Sequence, residues 1–175
     1  PRLKTEYSLE ELTAVYTPST AEIEYVFNLY RQVGPRTFML VKLKLLQRLG
    51  YFVPLATVPE EIIEHICSQA NLRKPAKRAI TLYDQSGTRA LQHQRLRAYL
   101  GLQLVDQKAE KWLENAATHA ARTKQELPDI INVLIEELVQ RKYELPGFTI
   151  LFRLARRCRN ADRKSTRLNS SHTVV

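Results

Sequence analysis

The chain has 175 residues and a formal charge of +9, with 27 Lys and Arg against 18 Asp and Glu. That length supports one ordinary domain or two small helical ones with a real core. No apolar run approaches the roughly 18 residues of a membrane span, and Pro1–Tyr7 is too charged to be a signal peptide.

The five glycines and the long Leu-, Ala-, Glu-, Lys- and Arg-rich stretches predict an all-α fold. Ser8-Leu9-Glu10-Glu11 has the capping-box spacing of a helix start. A second start lies at Ser19, with Glu22 three residues on and Ile23, Val26, Phe27 and Tyr30 as the apolar stripe. Arg31–Thr37 reads as a turn before a long helix, Phe38–Leu49, stopped by Gly50. Phe38, Met39, Leu45, Leu46 and Leu49 share one side of it and Lys44, Gln47 and Arg48 the other. Lys42 falls among the apolar set, where its long stem is expected to reach out to water.

Pro59 suits the first turn of the next helix, whose inner stripe is Ile62, Ile63, Ile66 and Ala70. Residues 73–82 then read as a basic linker, and Tyr83–Gly87 as a turn into the helix Thr88–Leu100, ended by Gly101. Asp106 is placed to cap a helix with Ala109, Trp112, Leu113, Ala116 and Ala120 inward. Pro128 starts another, with Ile130, Ile131, Leu134, Ile135 and Leu138 inward. Pro146-Gly147 precedes a last helix, Thr149–Asn160, where Ile150, Leu151, Leu154 and Ala155 face in and Arg153, Arg156 and Arg157 form a basic ridge. The predicted fold is two small helical bundles of helix-turn-helix type joined by the basic linker, with modules over residues 1–72 and 83–161.

Residues Asp162–His172, DRKSTRLNSSH, match codon for codon the translation of a common sequencing-library adapter. Residues 162–175 are therefore expected to be an adapter-derived tail and lie outside the fold prediction. Without them the formal charge falls from +9 to +7, because Arg163, Lys164, Arg167 and Asp162 leave together. The opening Pro, where an initiator Met would stand, is the expected mark of a fragment or a processed product, and the natural chain is expected to continue past Ala161.

Cys67 and Cys158 belong to no metal-ligand pattern and read as two buried thiols of an intracellular protein. The four histidines show no ligand spacing, so neither a metal site nor a cofactor is expected. The chain contains no glycine-rich phosphate loop, no GxSxG elbow and no HExxH, and Glu60, Glu61, Glu136 and Glu137 read as helix-surface acids. The expected character is non-catalytic.

Basic clusters carry what chemistry remains. Arg36, Lys44, Gln47 and Arg48 fit a helix-turn-helix whose second helix reads base edges, although composition alone favours a solvated helix face. The segment Thr88–Gly101 holds Arg89, His93, Arg95 and Arg97 with no acid, and Arg89, His93 and Arg97 repeat along one ridge. Such a ridge meets an anion, or pairs with acids elsewhere such as Asp84. Arg73, Lys74, Lys77 and Arg78 follow a phosphate backbone or form a soluble hinge. Aromatic residues do not interleave with these cations, which favours duplex over single-stranded nucleic acid.

The pattern Thr88, Arg89, His93, Leu96, Arg97, Tyr99, Leu100 and Gly101 resembles the N-terminal region of Tn-three-family transposases, which are replicative and cointegrate-forming. The likeness extends through SLEEL at Ser8–Leu12, LQRLGYF at Leu46–Phe52, VPEEIIEHI at Val58–Ile66, Trp112-Leu113 and LPGFTILFRLARR at Leu145–Arg157. It implies tandem helical modules that bind the double-stranded terminal inverted repeats of a transposon. The acidic catalytic triad of that family lies in a far C-terminal domain, so this region is expected to bind rather than to catalyse. The DNA-binding residues then expected are Arg36, Lys44, Gln47, Arg48, Arg73, Lys74, Lys77, Arg78, Thr88, Arg89, His93, Arg95 and Arg97. The expected location is the bacterial cytoplasm, on the nucleoid, with no membrane partner. The alternative is a helical interaction module for an acidic protein or another transposase subunit. Lys44, Arg48, Arg89 and Arg97 on one open concave side would favour DNA, and neutralisation by local acids would favour the interaction module.

Overall fold

The computed structural model describes residues 2–124 and 126–171, with side chains through residue 168. The chain is all-α, and no strand occurs among the described residues. The helices are α1 (Leu9–Tyr16), α2 (Thr20–Leu29), α3 (Val33–Leu49), α4 (Glu60–Gln69), α5 (Lys77–Asp84), α6 (Gly87–Leu100), α7 (Gln107–Thr123), α8 (Leu127–Gln140) and α9 (Phe148–Ser171). They fall into two compact units, residues 1–101 and 102–175. No helix among the described residues is long and apolar enough to cross a membrane.

In the first unit the helix starts follow local chemistry. Ser8 and Glu11, then Ser19 and Glu22, form reciprocal capping boxes that satisfy backbone donors otherwise left orphaned. α3 begins at Val33, five residues earlier than the sequence predicts. Pro35 sits in its first turn, where an absent N–H costs nothing. Gly50 closes it in the left-handed conformation, φ 80°. α3 packs against α1, α2, α4, α5 and α6, so it is buried on nearly every side from Thr37 to Leu46 and again at Leu49. Ile62, Ile63, Ile66 and Ala70 of α4 are buried as their spacing predicts.

The predicted linker is instead part of this unit. α5 occupies residues 77–84, with Ile80 and Tyr83 buried, and Tyr83 stacks on Phe38 with ring centroids 4.4 Å apart. The compact units accordingly divide after Gly101 rather than within residues 73–82. Gly101 ends α6 at φ 65°, as a helix-stop glycine should.

The second unit is a three-helix bundle of α7, α8 and α9. Asp106 caps α7, accepting from the Ala109 N–H at 2.7 Å. Ala109, Leu113, Ala117, Ala120 and Ala121 of α7 meet Ile130, Ile131, Leu134 and Leu138 of α8 and Leu151, Ala155 and Cys158 of α9 in the core. The small alanines let the helices approach closely. Ile150, expected inward, is 57% exposed, because the bundle-facing stripe of α9 starts one residue later, at Leu151. Gln103 pairs with the α8–α9 connection through Gln103 N–H to Lys142 carbonyl, 2.9 Å, and Glu144 N–H to Gln103 carbonyl, 2.8 Å. α9 also runs past Ala161 to Ser171, so the adapter-like residues 162–171 continue a helix, while 172–175 lie outside the described residues.

Candidate nucleic-acid interface

The α6 ridge is partly a packing surface. Gln92 and Leu96 are its buried residues. Tyr83 Oη donates to Gln92 Oε1 at 2.7 Å, and Gln92 Nε2 donates to the Pro35 carbonyl at 3.0 Å, tying α6 to α5 and α3. His93 lies beside them with its ring stacked on Phe52, centroids 3.7 Å apart and planes 3° from parallel. Its Nε2 is buried without a hydrogen-bond partner. Burial, reinforced by Lys42, Arg97 and Arg89, lowers its pKa to about 4, against a weaker opposing pull from Asp84. At neutral pH His93 is an uncharged ring in a cationic setting rather than a phosphate contact.

Its neighbours are engaged as well. Arg89 Nη1 donates to the Asp84 main-chain carbonyl. It does not pair with the Asp84 carboxylate, which accepts from the Leu55 and Ala56 N–H groups at 2.9 Å each. Arg97 stacks its guanidinium over Phe52, 5.7 Å from the centroid. Arg95 donates to Tyr30 Oη at 2.9 Å, and Tyr25 stacks on Tyr99 at 4.2 Å, fixing α6 on α2. Thr88 is exposed at the start of α6, which has no side-chain N-cap. Phe52, Gln92 and Asp84 organise this cluster. Sequence reading misses the first two, since stacking and buried amide bonds join residues tens of positions apart.

The expected open face of α3 is largely closed. Lys44 is only 9% exposed and pairs with Glu22 Oε2 at 3.2 Å, while Gln47 Nε2 donates to Glu22 Oε1 at 2.7 Å. Burial alone would raise the Glu22 pKa. Gln47, the Ser19 N–H and Lys44 outweigh it and hold the carboxyl below its ordinary value. Lys42 does not reach water either. It is 1% exposed, and its Nζ donates to the Val53 carbonyl, with burial lowering its pKa to about 8. Arg36 donates to the Tyr30 carbonyl at 2.7 Å and lies over Phe27 at 4.0 Å, so it staples the α2–α3 connection. Of this group only Gln47 and Arg48 are exposed.

Of the four residues that separate the two readings, Lys44 is neutralised by an acid, Arg89 and Arg97 lean on a carbonyl and a ring, and Arg48 is exposed. They do not form one open row.

The basic segment before α5 is different. Lys74 is held by Glu60 and, at 2.6 Å, by Glu64. Arg73 and Arg78 are exposed and make no ion pair or hydrogen bond among the described residues, and exposed Lys77 only attracts Glu60 through space. Neither α5 nor α3 has a side-chain N-cap or an acid in its first turn, so their positive ends are uncompensated by local carboxylates. Arg73, Pro75, Ala76 and Ala79 line one side of a groove of about 520 Å³ whose other side is Val33, Gly34 and Thr37 at the start of α3. Arg73 and the starts of α3 and α5 therefore share one shallow groove of the first unit, while Lys77 lines a separate groove with Glu60 and Arg78 is exposed in the first turn of α5.

Residues 1–158 match the family described as "Domain of unknown function (DUF4158)". No curated protein matches the chain.

Proposed function

We propose that this chain, which belongs to the DUF4158 family over residues 1–158, is a duplex-DNA-binding region of a Tn-three-family transposase. Its target is the terminal inverted repeats of the transposon. DUF4158 is found in Tn-three-family transposases, which supports the resemblance carried by the sequence motifs. The observation that carries the binding reading is accessible Arg73 on the groove between the uncapped starts of α3 and α5, with exposed Lys77 and Arg78 in the first turn of α5. Main-chain N–H groups at helix starts and unpaired arginines are the usual holders of phosphate oxygens. The α6 cluster acts one step back, because Gln92, His93, Arg95 and Arg97 lock α6 against α2, α3 and the Phe52 loop. Arg48, Gln47 and Thr88 remain exposed for further polar contacts.

Fluorescence anisotropy on a labelled duplex across a salt series tests this. Each phosphate contact contributes about −0.9 to the slope of log K against log salt. The variant carrying Arg73→Gln, Lys77→Gln and Arg78→Gln is expected to flatten that slope by about 2 to 3 and to weaken binding evenly across sequences. A wild-type slope near zero, or equal binding to an acidic polypeptide such as poly-glutamate, would sink the DNA reading and favour the interaction module.

A further inference from the structure

α9 carries a polar stripe outside the interface proposed above. Leu151, Ala155 and Cys158 are its bundle-facing residues. At 3.6 residues per turn, Arg153, Arg156 and Asn160 fall on the opposite side of the helix, and all three are exposed. None makes an ion pair or hydrogen bond among the described residues. Their neighbour Arg157 is occupied, its Nη2 bound to Glu114 Oε1 at 2.9 Å, which anchors α9 to α7. The sole acid in the α9 sequence, Asp162, lies away from the stripe and is half-buried. No acid of α9 stands on the stripe, and the acids nearest to it, Glu110, Glu114 and Glu144, line the groove beside Arg153.

The residue types favour base edges over phosphates. Arg presents paired donors that match guanine O6 and N7, and Asn presents a donor and an acceptor that match adenine N6 and N7. A set of lysines would supply charge without that pairing. From Arg153 to Asn160 the stripe spans about 10 Å, or about three base steps, the reach of a helix seated in a major groove. We infer that the Arg153–Arg156–Asn160 stripe of α9 is a second DNA-contact surface, one that enters the major groove and reads base edges. This rests on the duplex-binding reading but uses different residues in a different unit.

The test selects sites from a randomised duplex pool with the full chain, then measures affinity on the selected duplexes and on scrambled ones. The variants are Arg153→Gln, Arg156→Gln and Asn160→Ala, with helicity by circular dichroism as the folding control. Each variant is expected to lose about 5- to 150-fold on the selected duplexes, with little change on scrambled ones, and to relax preference at its own position within three or four adjacent base pairs. A chain ending at Ala161 is expected to select the same pattern. Wild type that binds no duplex would sink both this inference and the function proposed above. Duplex binding that persists unchanged in all three variants would overturn this inference alone. So would an equal loss on selected and scrambled sequences, which would make the stripe a phosphate contact. Loss of selection in the chain ending at Ala161 would move the contact to residues 162–171 and overturn it too.

Discussion

His93 is the residue whose chemistry departs furthest from its appearance in sequence. Stacked on Phe52 and crowded by Lys42, Arg89 and Arg97, it titrates at about 4 rather than near 6.5. A histidine with a lowered folded pKa contributes stability that is complete above its unfolded pKa. That stability is lost as pH falls from about 6.5 to about 4, because the unfolded chain takes up the proton first. Asp84, the acid that opposes the shift, commits its carboxylate to the Leu55 and Ala56 N–H groups. The full shift would correspond to about 3 kcal/mol, and solvent screening of the half-buried ring reduces this to about 1–2 kcal/mol. His93→Phe keeps a ring for Phe52 and cannot titrate. Urea melts at pH 7 and pH 4.5 should therefore show wild type losing about 1–2 kcal/mol more than the variant. Equal losses would mean that the imidazole takes up its proton in place. His65, whose pKa burial also lowers, is present in both proteins and cancels in the comparison.

At the level of elements, Glu22 joins two jobs that the sequence displays separately. It closes the α2 capping box through the Ser19 N–H at 2.8 Å and also neutralises buried Lys44 on α3. Glu22→Ala leaves that ammonium buried without its partner and should cost about 3–5 kcal/mol by urea denaturation. Adding Lys44→Met should recover most of the loss, leaving about 1 kcal/mol for the missing cap. If the double variant were no more stable than the single, the ion pair would not be what holds α2 on α3. The same pair shows what can be read in advance. Caps at Ser8, Ser19 and Asp106 and stops at Gly50 and Gly101 are legible, because each is decided within about four residues of chain. The burial of α3 is not, since Lys42 and Lys44 are polar in sequence and their partners, Val53 and Glu22, lie on other segments. α5 resembles a linker for a similar reason. The charges of Arg73, Lys74, Lys77 and Arg78, with Pro75 among them, imitate a loop. Only the pairing of Tyr83 with Phe38 and Gln92 reveals the helix's buried side. For the candidate interface, charge points to Arg73, Lys77 and Arg78, but only the fold separates them from cations already engaged with Glu22, Tyr30, Phe52 or the Asp84 carbonyl.

The whole chain consists of two compact units, residues 1–101 and 102–175, each with its own buried stripe and its own accessible cations. Compactness and a separate core are what allow a domain to fold alone. Fragments 1–101 and 102–161 should therefore each keep their helicity by circular dichroism and melt cooperatively. Counterion release depends on the phosphates each unit neutralises, so the salt slopes of the two fragments on one duplex should add to the slope of the chain ending at Ala161. Affinity need not add in this way. If both units engage a single duplex, the second contact becomes intramolecular, and the chain should bind about 10²–10⁴-fold tighter than the better fragment. A chain slope equal to that of fragment 1–101 would show that the second unit releases no counterions on the duplex. Two duplexes bound per chain, each with the slope of one fragment and without the gain in affinity, would place the two units on separate duplexes, a different way for one basic chain to hold two DNA ends.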